Sequence, residues 1–130
     1  MSLDPRSLQA LAHVHPDLVK VVTLAHGDSQ QAFEVIQGLR TLAQEEANLA
    51  KGASETLHSR HLPNKEGLAC AVDVAAVDQG HISWNPLLYQ AIAHAMKAAA
   101  MELDVPIEWG GDWRTLKDWG HFQLPWARYP

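Results

Sequence analysis

The chain has 130 residues, a formal net charge of −5 and 47% hydrophobic residues. This length suits one domain over residues 1–130, and the apolar content excludes a chain that is disordered throughout. The acidic balance and the scattered basic residues argue against nucleic acid as a partner, and the single cysteine, Cys70, excludes an internal disulfide.

The first half of the chain predicts helices around one short strand. Leucines near helical spacing predict a helix over residues 2–12, capped by Ser2. A second short helix is expected over residues 16–27, where a proline precedes the apolar positions and a glycine stops them. The β-branched run of residues 33–37 predicts a strand, and good helix formers predict a helix over residues 41–51.

The second half predicts more of the sheet. Residues 68–77 are almost uniformly apolar and predict a buried strand, and residues 78–83 are interpreted as a turn. Residues 85–103 form the clearest amphipathic helix, and short strands are expected over residues 106–109 and 121–124. Because the strands do not alternate regularly with helices, we expect an α+β fold: a small, mostly antiparallel sheet with helices packed on one side.

Three ionisable side chains fall on predicted strands or their edges. Asp73 interrupts an apolar strand, where a carboxylate is costly unless it is paired or bound to a metal. Two histidines and one carboxylate suit zinc and leave a position for water, so His61, Asp73 and His121 are candidate ligands of one Zn²⁺ ion. His58 and His81 are competing candidates from composition alone.

A fourth residue suits acid–base chemistry beside such a site. Asp118 lies three positions before His121 and is placed to act as general base and then as general acid. Of the neighbouring aromatic residues, Trp109 is expected to pack in the core, whereas Trp113 and Trp119 are open between packing and a substrate-binding wall.

Four segments, taken together and in order, resemble the M15 family of zinc peptidases. Ser59-Arg60-His61 followed by Gly67 and Ala71-Val72-Asp73 resembles the family's first metal motif, and Asp118-Trp119-Gly120-His121 resembles its last. Gly38-Leu39-Arg40-Thr41 with Gln44 is similar to the upstream arginine element. The segment from Trp109 to Trp113 resembles the phage lysin branch. His61 and Asp73 stand twelve positions apart, further than in the family's short signature, and residues 62–66 are interpreted as an inserted loop.

The resemblance implies a role for each matching residue. It implies one Zn²⁺ held by His61, Asp73 and His121, with Asp118 as the general base and acid. Arg40 is implied to stabilise the oxyanion, against the alternative of a solvated residue at a helix start. Gln44 and Ser59 are implied to bind substrate, and the alternative for Ser59 is a simple turn residue.

The resemblance also implies the fold of the D-Ala-D-Ala peptidase and hedgehog-type domains and an activity on cell walls. The leading hypothesis is an endopeptidase that cleaves the L-Ala–D-Glu bond of the peptidoglycan stem peptide, acting as a phage endolysin and as a monomer. A D-Ala-D-Ala carboxypeptidase or dipeptidase of the same family and a non-catalytic zinc-containing module that binds wall peptides are the alternatives. No signal peptide or membrane-spanning run is visible, so synthesis in the host cytoplasm and action on the wall after release are expected.

Overall fold

The computed structural model describes residues 3–41, 43, 44, 47, 50 and 59–130. Helix α1 spans Pro5–Ala10 and helix α2 spans Pro16–Asp28. The cap of α1 is Asp4, whose Oδ1 accepts the Ser7 backbone N–H at 2.9 Å, and so the prediction of a cap at Ser2 was wrong. A carboxylate at this position satisfies a free backbone donor of the first turn.

The strands form one antiparallel sheet. Its members are β1 (Phe33–Gln37), β2 (Ala71–Asp78), β3 (His81–Ser83), β4 (Glu108–Trp109) and β5 (His121–Gln123). The order is β1-β2-β5-β4, and β3 pairs with β2 beyond the end of β5. The predicted α+β fold with a small antiparallel sheet is therefore confirmed.

The segment interpreted as a turn over residues 78–83 is partly a strand. The turn is confined to Gln79 and Gly80, whose φ values are 52° and 81°. Positive φ at both central residues is the geometry of a tight hairpin turn that matches the twist of the strands, and β3 follows directly and pairs with β2. The prediction extended the turn over β3 because three residues are too few to show the alternating pattern of a strand.

Helix α3 spans Pro86–Leu103 and agrees with the predicted amphipathic helix. The Asn85 side chain caps it by accepting the Leu87 backbone N–H at 3.1 Å, and Asp104 ends it in the left-handed conformation. Its buried stripe packs against α2. Of the helix predicted over residues 41–51, Ala43, Gln44, Ala47 and Ala50 are helical, and its other residues after Thr41 lie outside the described part of the chain. Among the helices that the structure describes, none is both long and apolar enough to cross a membrane.

The two faces of the sheet have different roles. Side chains alternate between faces along a strand, and Val72, Val74 and Ala76 of β2 enter the hydrophobic core with residues of α2 and α3. The opposite face of β2 carries Asp73, which is paired directly with His121 of β5. One face of the sheet therefore holds the helices, and the other carries polar groups.

Candidate metal centre and active site

The structure brings His61, Asp73 and His121 together. The Asp73 carboxylate bridges the two imidazoles, with Oδ2 at 3.2 Å from His61 Nε2 and Oδ1 at 3.1 Å from His121 Nδ1. One ligand atom from each residue lies within 4.8 Å of the others. In the described part of the chain, these three residues form a group with the geometry to hold a metal ion.

His61 is oriented by the backbone groups of Gly38 and Arg40. Its Nδ1 lies 2.9 Å from the Gly38 carbonyl oxygen, and because a carbonyl only accepts, Nδ1 carries the proton and Nε2 presents a lone pair. That Nε2 atom is buried, and no described group completes a hydrogen bond to it. The His61 carbonyl oxygen in turn accepts the Arg40 backbone N–H at 2.8 Å.

The loop between the first two candidate ligands closes on itself. The Asn64 side-chain oxygen accepts the backbone N–H groups of Glu66 and Leu68 at 2.9 and 3.0 Å. At the base of the loop, the Cys70 backbone N–H donates to the Arg60 carbonyl oxygen at 2.9 Å. The Asn64 side chain therefore closes the loop from inside, and the hydrogen bond between Cys70 and Arg60 joins its two ends.

His121 is buried, at 6% exposed, as is His61 at 3%. Its ring lies 5.1 Å from the His61 ring and 5.2 Å from the Trp113 ring, measured between centroids. Burial opposes a charge on this imidazole, but the hydrogen bond to Asp73 and the Asp73 charge outweigh burial and raise the pKa of His121. Conversely, burial alone would raise the pKa of Asp73, but the hydrogen bond from His121 and the proximity of both imidazoles outweigh it and hold that pKa far below its usual range.

The donor set fits a divalent cation. A buried lone pair on His61 Nε2 faces a carboxylate oxygen at 3.2 Å with no hydrogen bond between them, an arrangement that a cation between the two atoms makes favourable. Two imidazoles and one carboxylate leave a further coordination position open for water or substrate. Of the two competing histidines, His81 is exposed on β3 and takes no part in this group, and His58 lies outside the described residues.

Asp118 and Asp73 line the same cavity of about 320 Å³. Although Asp118 as a whole is exposed, partial burial of its carboxylate and the nearby Asp73 charge raise its pKa. The backbone holds Asp118 beside the centre, because its N–H donates to the Gly110 carbonyl oxygen and its carbonyl oxygen accepts the His121 N–H.

Arg40 also reaches the centre. Its Nη2 lies 3.7 Å from Asp73 Oδ2, and its side chain is 14% exposed. The structure therefore places Arg40 with the three candidate ligands rather than on a solvated helix start.

Ser59 and Gln44 mainly contact the backbone. Ser59 Oγ accepts the His61 backbone N–H at 3.1 Å, as in a simple Ser turn. Gln44 is exposed, and it forms a capping box with Thr41 through bonds of 2.8 and 3.1 Å. It also lines a second cavity of about 290 Å³, which shares Ile36 with the first. The substrate-binding roles of Ser59 and Gln44 stay predictions.

The tryptophans divide as follows. Trp109 is 8% exposed and packs in the core on Phe122, as expected. Trp113 lies against the His121 ring. Trp119 is half-buried beside Trp109 and lines the cavity with Asp118.

Sequence analysis missed Gln123 and Glu108, which hold His121 through its Nε2 atom. Gln123 Oε1 lies 2.7 Å from His121 Nε2, and Gln123 Nε2 donates to Glu108 Oε1 at 2.8 Å. The available signal was the period-two spacing of His121 and Gln123 on one strand, which places both on the same face.

Known proteins resemble this chain in sequence and in fold. The family model for phage L-alanyl-D-glutamate peptidases matches residues 1–121. The L-alanyl-D-glutamate peptidase of Escherichia phage T5 is 34% identical over 117 residues, which cover 87% of this chain and 82% of that protein. The enzyme of the same name from Listeria phage A118 is 30% identical over 95 residues, which cover 73% of this chain but 31% of that protein. The crystal structure of the L-Ala D-Glu endopeptidase ChiX of Serratia marcescens matches with a TM-score of 0.90 and 44% identity, covering all of this chain and 94% of that one.

The three candidate ligands share a cavity with the Asp118 carboxylate through Asp73, an arrangement that suits a hydrolytic enzyme. The comparisons confirm the expectation of a peptidase. The chain belongs to the phage L-alanyl-D-glutamate peptidase family.

Proposed function

We propose that this protein is a zinc-dependent endopeptidase that cleaves the L-Ala–D-Glu bond of peptidoglycan stem peptides. The observation that carries the proposal is the convergence of His61, Asp73 and His121 beside the Asp118 carboxylate. The names of the related phage and Serratia enzymes support the choice of bond.

In this proposal His61 Nε2, the Asp73 carboxylate and His121 Nδ1 hold one zinc ion. When bound, zinc supplies Lewis-acid polarisation of the scissile carbonyl group and lowers the pKa of water. Asp118 takes a proton from the attacking water on its carboxylate and later delivers it to the leaving amine. A carboxyl group with a raised pKa suits both steps, because it binds the proton firmly enough to carry it between them.

Arg40 stabilises the negative charge that develops on the carbonyl oxygen. Its guanidinium group lies at the edge of the centre, 3.7 Å from Asp73. A guanidinium group remains charged at every working pH and offers several donors in a fixed fork. Such a donor is most effective where water is excluded, and the Arg40 side chain is largely buried.

The stem peptide lies along the two cavities that meet at Ile36. The first cavity offers the apolar surfaces of Trp84 and Trp119 next to Asp118. The second is lined by amide and hydroxyl groups that include Gln44. Through this second cavity Gln44 contacts the substrate in addition to capping its own helix, and Ser59 contributes by holding the turn that presents His61.

We further propose that the protein acts as an endolysin. It is made in the host cytoplasm, acts on the wall after release and works as a monomer. Purified protein that sedimented as a stable dimer would overturn the last point. Host cells that lysed on schedule when an Asp118→Asn protein replaced the parent would overturn the lytic role.

The deciding experiment is digestion of purified peptidoglycan with and without a zinc chelator, followed by mass spectrometry of the released fragments. Chelator-sensitive fragments with a new amino-terminal D-glutamate are the expected result. Release of free D-alanine would instead identify a carboxypeptidase. Intact stems in the presence of zinc-loaded protein would identify a binding module without catalytic activity.

A further inference from the structure

A chain of hydrogen bonds leads away from the metal centre on the far side of His121. His121 Nε2 lies 2.7 Å from Gln123 Oε1, and Gln123 Nε2 donates to Glu108 Oε1 at 2.8 Å. His121 and Gln123 are 6% and 8% exposed, so water does not compete freely for these bonds. Glu108 is exposed and closes the chain at the surface.

The direction of every bond in this chain follows from Glu108. An ionised carboxylate only accepts hydrogen bonds, and so the Gln123 amide must turn its NH₂ group toward Glu108. Its oxygen then faces His121, which must donate from Nε2. Nδ1, which shares a hydrogen bond with Asp73 Oδ1 at 3.1 Å, is therefore the ring nitrogen left to give up its proton and present a lone pair to a metal.

The sheet fixes the positions of these groups. Glu108 of β4 is paired directly with Gln123 of β5, so their side chains lie side by side on one face. His121 and Gln123 are two positions apart on β5 and share that face. The hydrogen bonds among His121, Gln123 and Glu108 therefore depend on strand register and not on a loop.

We propose that Glu108 and Gln123 are positioning residues that hold His121 Nε2 protonated and keep Nδ1 available to the metal. This inference rests on the proposed zinc site. His61 needs no such side-chain partners, because the Gly38 backbone carbonyl keeps the proton on its Nδ1 and leaves Nε2 available to the metal. Outer partners of metal-binding histidines typically contribute about 10–100-fold to metal affinity.

The decisive variant is Glu108→Lys. A lysine ammonium group only donates, so it draws the Gln123 oxygen toward itself and turns the NH₂ group toward His121 Nε2. His121 is then driven to carry its proton on Nδ1, where the metal should bind. We expect zinc affinity, measured by competition with a chromogenic chelator, to fall by about 10–100-fold. The ¹⁵N spectrum of the His121 imidazole should show Nε2 without its proton.

A second substitution should reverse the first. In the Glu108→Lys/Gln123→Glu double variant, the new carboxylate accepts from both the introduced ammonium group and His121 Nε2. Nε2 regains its proton, and most of the lost zinc affinity should return. A merely structural role for the pair predicts the opposite, because a second change in the same contact would add to the damage.

Glu102→Lys is the matched control, since it makes the same charge change at an exposed position of α3. It should keep the zinc affinity and the His121 spectrum of the parent. A Glu108→Lys protein with unchanged affinity and a protonated Nε2 would overturn the inference. If the parent itself binds no zinc, the proposed function fails. The ¹⁵N spectra of the metal-free proteins then still decide whether Glu108 and Gln123 hold the proton on His121 Nε2.

Discussion

Asp73 and His121 face each other across the antiparallel pairing of β2 and β5, with Oδ1 and Nδ1 3.1 Å apart. Two of the three proposed ligands are therefore positioned by backbone hydrogen bonds of the sheet. The third, His61, comes from a turn that is held by the Gly38 carbonyl group and by the Arg40 backbone. A site built on strands is held more rigidly than one built on loops alone.

Removal of zinc should lower the free energy of unfolding. Metal that binds only the folded protein stabilises it by mass action, by about 2.7 kcal/mol at a hundred times the dissociation constant. Urea unfolding with zinc and with a chelator measures this difference. An Asp73→Asn variant is the control, and its unfolding curve should respond much less to zinc. Superimposable curves for the parent protein would contradict the metal site.

Asp118→Asn should abolish most of the activity and spare the metal. Loss of a general base typically costs about 10²–10⁴-fold in rate. Zinc affinity should persist, because Asp118 lies outside the group of His61, Asp73 and His121. Asp112→Asn, which changes an exposed carboxylate paired with Lys97, should leave both properties near those of the parent. An Asp118→Asn enzyme with full activity would refute the role in proton transfer.

The Asp118 carboxyl group should titrate above the usual range for aspartate in the metal-free protein, because burial and the Asp73 charge raise its pKa. A bound cation offsets the Asp73 charge, so zinc loading should lower that pKa. A general base works only when ionised, and so the rate should fall as the pH drops through the pKa of the loaded enzyme. ¹³C NMR titration of the carboxyl group with and without zinc measures both values. A higher pKa after zinc loading would contradict the proposed geometry.

Gly110→Ala should displace Asp118 without touching a metal ligand. A β-carbon at this position would lie 2.2 Å from the Asp118 carbonyl oxygen and 3.0 Å from its Cβ. Backbone cannot yield as a side-chain tip can, and a shift of about 1 Å in a reacting group can cost about 10²-fold. We expect a lower kcat with retained zinc affinity.

Gly27→Ala provides the comparison for this variant. A β-carbon at Gly27 meets nothing within 4 Å, and the residue lies within helix α2. It should keep full activity and gain up to about 1 kcal/mol of stability from the better helix former. Equal kinetics for the two glycine variants would show that Asp118 tolerates the displacement.

Ser7→Ala should destabilise the fold away from the site. Ser7 is fully buried, and its hydroxyl oxygen accepts the Val35 backbone N–H at 2.9 Å. Its loss leaves a buried donor unpaired, which costs about 1–3 kcal/mol. Thr23→Ala, at an exposed position of α2, should change the unfolding free energy by less than about 0.5 kcal/mol. Chemical denaturation of both variants distinguishes the two effects.

The sequence predicted much of this fold because its signals were local. The strand over residues 33–37 and the helix from Pro86 to Leu103 follow from composition and period alone. Asp73 stood out because a carboxylate interrupts an apolar strand. The turn after β2 was predicted, but β3 has three residues, too few for an alternating pattern, and so the strand was missed.

Sequence motifs pointed to the three candidate ligands that the structure brings together, but not to the side chains that contact them. The motifs name His61, Asp73 and His121, but they say nothing about which atom of each ring points inward. That depends on partners brought close by strand register, such as Gln123 and Glu108. Register is set by the whole sheet, and a single strand does not reveal it.

The turn closed by Asn64 has a consequence for how such enzymes are recognised. Since its base is held between Arg60 and Cys70 and its interior bonds are its own, residues can be added or removed there without moving either flanking ligand. The separation of twelve positions between His61 and Asp73 then depends on the length of the turn and not on the geometry of the candidate ligands. A sequence pattern with a fixed gap between the positions of His61 and Asp73 will miss family members whose turn has another length. A pattern that allows this gap to vary will retain them.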